Sequence, residues 1–139
     1  MILRALGALM ALLLFFSVGL QYNDPDPVQW MAFYGSAGLI AAWAAVAPSR
    51  YPWPLPAAVA LWGLIWAAMI GPDFWGQIPL RDMFRSWEMD DILVEEARET
   101  FGLLITASWM AVLTAARLWE RHRPAAAAPT ASPVERPPA

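Results

Sequence analysis

The 139-residue chain contains no cysteine, which excludes a disulfide framework, a thiolate metal site and a cysteine nucleophile. Lysine is also absent, so all nine basic residues are arginine. With the richness in Ala, Pro and Trp, this points to a GC-rich bacterial genome. Histidine occurs once, as His122 in RLWERHR, where it reads as part of a basic interfacial anchor and not as a metal ligand. Charge of either sign is scarce, at 15 % of residues, and the net charge of −3 leaves no basic stripe to neutralise phosphates. Nucleic acid is therefore excluded as a partner. There is no phosphate-binding glycine loop and no nucleophile elbow, so neither a catalytic residue nor a cofactor is assigned.

What the chain does have is apolar surface: 59 % hydrophobic residues, nine of them Trp, exceeds what an ordinary soluble domain of this length carries. Spanning about 30 Å of hydrocarbon takes roughly 20 helical residues. Four windows meet that need, at residues 2–20, 28–47, 55–71 and 101–119. Arg4 lies close enough to the start of the first to reach lipid headgroups, and Arg117 falls in the last turn of the fourth. Three prolines in PSRYPWP, residues 48–54, separate the second and third windows and predict a tight helical hairpin there. Residues 2–19 also carry a small-x-small pair at Ser17 and Gly19. A retained helix is nonetheless expected over a cleaved signal peptide, because the second window begins only eight residues after Leu20. Small-residue stripes supply the close approach that helices need in lipid: Gly7 and Ala11; Ala37, Ala41 and Ala45; Gly63, Ala67 and Gly71; Ala107, Ala111 and Ala115.

The expected fold is thus all-α, an integral membrane four-helix bundle over residues 1–123, followed by a disordered Ala/Pro-rich tail at 124–139. Between the third and fourth windows, Leu80, Met83, Phe84 and Trp87 recur at helical spacing opposite Arg81, Asp82 and Arg85, predicting one amphipathic helix on the outer surface. Five arginines (4, 50, 117, 121 and 123) on the side of the termini against three (81, 85 and 98) on the other place both termini in the cytoplasm of a bacterial inner membrane.

Two polar constellations stand out. In QYNDPDPVQW, Pro27 suits the first position of the second helix, which makes Asp26 its N-cap, with Gln29 completing a capping-box variant. Asn23 and Asp24 remain at the mouth of the bundle, with Asp24 held extended by Pro25. In VEEARETFGLL, residues 94–104, helical spacing puts Glu95, Arg98 and Glu99 together, with Asp90 or Asp91 as the cap. Arg98 is expected to bond Glu95 and to be a partner for Asp24. These stretches, with Trp30, Tyr34 and the E-x-x-R-E-x-x-G pattern ending at Gly102, make the chain resemble transmembrane protein family 220 over residues 1 to about 120. That resemblance implies four spans and no catalytic assignment.

Ion-coupled transport is disfavoured, because no acid, lysine or histidine falls near the middle of a window. The expectation is a non-enzymatic membrane protein whose partners are the lipid bilayer and either another membrane protein or a second copy. Asn23, Asp24, Glu95, Arg98 and Glu99 then form a polar lock or docking site. The alternative is a protein, possibly an enzyme, that binds a cation or small molecule through the same carboxylates, as oxygen ligands for a hard cation.

Overall fold

Prolines set most of the element boundaries. The computed structural model describes residues 1–24, 26–73, 77 and 92–123. Helix α1 (Ile2–Leu20) is a run of Leu and Ala that tightens into a 3-10 turn at Gln21–Asn23 and stops at Asp24, whose φ of −67° and ψ of 147° are the extended values required before Pro25. Helix α2 (Pro27–Val46) has a proline at its first turn and ends just before Pro48. Helix α3 (Pro54–Ile70) again opens on proline and runs into a 3-10 turn at Gly71–Asp73. Helix α4 (Ile92–His122) has 31 residues and is about 46 Å long. It exceeds a hydrocarbon core of about 30 Å by roughly ten residues, so its first turns stand outside the 101–119 window.

The described residues are all-α, with four helices and no strand. The amphipathic helix expected at 79–87, the caps Asp90 and Asp91 and the tail at 124–139 lie outside the described residues. Helices α1 and α4 are long and apolar enough to cross a membrane. Helix α3 is apolar but shorter, at 17 residues. Helix α2 has the length, but Gln29, Tyr34, Ser36 and its tryptophans lower its hydropathy.

Packing is closest between α1 and α2 and between α3 and α4, while α2 meets α3 and α4 over smaller areas. The tight hairpin expected of α2 and α3 is therefore not the main packing unit: their short connection turns the chain but does not press the helices together. Glycines set the contacts. At Gly7 a Cβ would stand 3.4 Å from both the Ala41 carbonyl and Ala45 Cβ, so α1 lies directly on the alanine stripe of α2. At Gly63 a Cβ would come within 2.9 Å of the Phe33 ring and 3.2 Å of Ala107 Cβ, which is where α2, α3 and α4 meet. Phe33, Leu103, Met110 and Leu113 are fully buried around this junction. The stripe expected on α4 holds only at Ala107. Ala111 and Ala115 are exposed, and α4 packs instead through Ala97, Thr100, Leu103, Thr106, Met110 and Leu113.

The end of the bundle that carries Met1 and Arg123 is fastened by arginine. Arg4 donates from Nε to the Ala45 carbonyl at 2.8 Å, satisfying one of the carbonyls left open where Pro48 stops α2. It serves the protein here and not, as expected, the headgroups. Arg117 donates from Nε to the Tyr51 carbonyl at 3.1 Å and from Nη2 to the Ser49 carbonyl, pairs with Glu120 at 3.0 Å and lies 5.7 Å over the Tyr51 ring. The buried Tyr51 hydroxyl donates to the Leu113 carbonyl at 2.9 Å. Burial, then the Glu120 charge, raise its pKa, with Arg117 opposing.

Candidate functional site

The opposite end holds Asp24, Asp26, Glu95, Glu96 and Glu99. Asp24 leaves the 3-10 turn extended, and its Oδ1 accepts the Asp26 N–H at 2.9 Å, closing an Asx turn across Pro25. Asp26 stands at the N-cap of α2 but makes no side-chain cap hydrogen bond, so the capping box expected with Gln29 does not form. The reason is local: Asp26 has φ −121° and ψ 55°, off the extended conformation of a capping residue, and its own N–H is held by Asp24. Pro27 sits where expected, at the start of the helix. Asn23 contributes backbone to the 3-10 turn.

The first turns of α4 face Asp24. One carboxylate oxygen each of Asp24, Glu95 and Glu99 lie within 4.8 Å of one another, and all three residues are half-buried. They open on a cavity of about 280 Å³ whose other walls include Gln29, Trp30, Trp66, Ile70 and Glu96. Trp30 and Trp66 stack at 4.1 Å between ring centroids with 24° between planes, and Trp62 continues the stack beyond Trp66 at 6.2 Å and 9°. Carboxylates thus meet over an aromatic floor. Burial first, then the charges of Glu95, Asp24 and Glu96, push the Glu99 carboxyl up to about 7. Glu96 Oε2 is buried without a hydrogen-bond partner.

Three of the five expected residues, Asp24, Glu95 and Glu99, therefore come together. Arg98 is not among the residues that line the cavity. On a helix of about 100° per residue, Arg98 points roughly 100° away from the middle of the face formed by Ile92, Glu95, Glu96 and Glu99. Arg98 makes an interaction of its own. A second meeting of the two motifs lies just below: a Cβ on Gly102 would fall on the Tyr34 hydroxyl, so the glycine is what lets that ring cross α4. Sequence reasoning missed the contribution of α3. The signal available was Trp62 and Trp66 at i and i+4, one helical face, opposite a tryptophan at Trp30.

Large apolar side chains, among them Leu9, Leu12, Phe16, Leu61, Ile65 and Ile105, are exposed on the outside of the bundle, while the described charged groups lie towards its ends. That distribution defines a helical membrane bundle. The model of transmembrane family 220, helix, matches residues 12–115, and the chain belongs to this family. No curated protein and no solved structure matches it.

Proposed function

We infer that the protein is a multi-pass membrane protein, sited in a bacterial inner membrane with both termini in the cytoplasm, that binds a hard divalent cation at its outer mouth through Asp24, Glu95 and Glu99. The observation that carries this reading is the convergence of three carboxylate oxygens within 4.8 Å. Such oxygen spacing suits ligands at 2.3–2.6 Å from one ion, and about 280 Å³ of cavity leaves room for waters to complete its shell. Three acids packed together repel one another, and a cation turns that repulsion into attraction. The role is binding and not catalysis. The convergence of Asp24 with Glu95 and Glu99 favours this reading over the expected Asp24–Arg98 lock.

The stacked Trp30–Trp66 wall favours a second reading, an organic ammonium held by the ring faces and the carboxylates. Thermal unfolding of the purified protein in detergent separates the two. Calcium chloride should raise the Tm saturably above matched ionic strength of sodium chloride, and tetramethylammonium should not. Glu99→Gln and Asp24→Asn should each remove the calcium response. A response to tetramethylammonium alone would select the second reading, and no response to either would reject both.

A further inference from the structure

Three hydroxyls on the helices satisfy themselves locally: Ser17 donates to the Leu13 carbonyl at 3.0 Å, Ser36 to the Phe33 carbonyl at 2.9 Å and Thr114 to the Met110 carbonyl at 2.9 Å. Thr100 breaks the pattern. It is 3 % exposed, and its Oγ1 is buried with no hydrogen-bond partner. It lines a cavity of about 360 Å³ at the ends of α3 and α4, whose other described walls, Leu64, Ala67, Ala68, Pro72 and Leu104 among them, are apolar. A buried hydroxyl is costly unless something accepts from it, and these walls offer nothing.

Depth identifies what does. Thr100 directly precedes the 101–119 window, and the cavity's other end wall, Gly71 and Pro72, closes the 55–71 window. Both mark the boundary between hydrocarbon and headgroups, the level at which ester carbonyls of bilayer lipids lie. We propose that this cavity is a binding site for one acyl ester chain of a membrane lipid, with the chain against Leu64, Ala68 and Leu104 and its ester carbonyl accepting a hydrogen bond from Thr100 Oγ1. The site is separate from the acidic mouth and shares none of the side chains assigned to the cation.

The test is thermal unfolding of the full chain in detergent with added monoolein or with the glyceryl ether of the same chain, which lacks the carbonyl. Wild-type protein should gain a saturable rise in Tm from the ester and little from the ether. Thr100→Val should lose the ester's effect yet match or exceed wild-type Tm without lipid, since no internal hydrogen bond is removed. Thr100→Ser should keep the response, and Ala68→Phe, which fills the cavity, should abolish it. Equal effects of ester and ether, an ester response retained in Thr100→Val, or a lower Tm of Thr100→Val without lipid would each overturn the proposal.

Discussion

At the scale of single residues, the two aspartates of NDPDP stand where expected, Asp24 at the mouth and Asp26 at the N-cap, but the cap bond is missing. Asp24 accepts the turn hydrogen bond and faces the acids, whereas Asp26 holds the cap position without capping. Asp26→Ala should therefore shift stability by no more than about 0.5 kcal/mol. Asp24→Ala should cost about 1 kcal/mol by opening the Asx turn, while Asp24→Asn keeps an acceptor, relieves the repulsion and leaves stability without added cation unchanged or higher at pH 8. Thermal unfolding in detergent distinguishes the three. Gly102 gives a sharper test. Gly102→Ala drives a methyl into the Tyr34 hydroxyl and should cost about 1–3 kcal/mol. Tyr34→Phe removes the clashing oxygen and leaves the next ring atom at 3.6 Å, an ordinary contact. The double variant should then be more stable than Gly102→Ala alone, a non-additivity expected only if these two groups touch.

At the scale of elements, the helices and their ends were legible because proline and apolar length state them directly: Pro25, Pro27, Pro48 and Pro54 stand at the breaks. Partners of the helices were less legible. Short connections suggested that α2 and α3 pack as a hairpin, but the alanine face of α2 is taken by α1, and α3 packs mainly on α4, with Phe33 of α2 reaching Gly63. The acids of α4 were found by their spacing, and their company was not, since a face shared by i, i+3 and i+4 residues is wide enough to leave Arg98 off the cavity. Tyr51 and Arg117 were hidden because their bonds run to backbone carbonyls across 62 and 66 residues of sequence. Tyr51→Phe should cost about 1 kcal/mol. Arg117→Lys should cost more, because an ammonium cannot donate from separate nitrogens to both Ser49 and Tyr51. Chemical or thermal unfolding of the pair of variants would rank them.

At the scale of the whole molecule, different groups gather at the two ends of the bundle. Arg4 and Arg117 bind backbone carbonyls where α1 starts and α4 finishes, and Asp24, Glu95 and Glu99 gather at the other end. Under the proposed orientation, reporter fusions after Arg50 and Arg121 read as cytoplasmic and one near Glu88 as periplasmic; a periplasmic reading after Arg121 would reverse it. The most direct measurement of the account is the titration of Glu99, followed by infrared carboxyl absorption of the purified protein with Glu99→Gln as the difference reference. Its neighbours are Glu95 and Glu96 on its own helix, Asp24 in the turn before α2 and Tyr34 on α2. A carboxyl raised from 4.5 to about 7 binds more protons folded than unfolded across that interval. The protein should therefore lose stability as pH rises from about 4.5 to 7 and change little above. The account predicts a Glu99 midpoint near 7 without divalent cation, moved down by Asp24→Asn and further down by saturating calcium. A midpoint in the ordinary carboxylate range that neither change moves would contradict it.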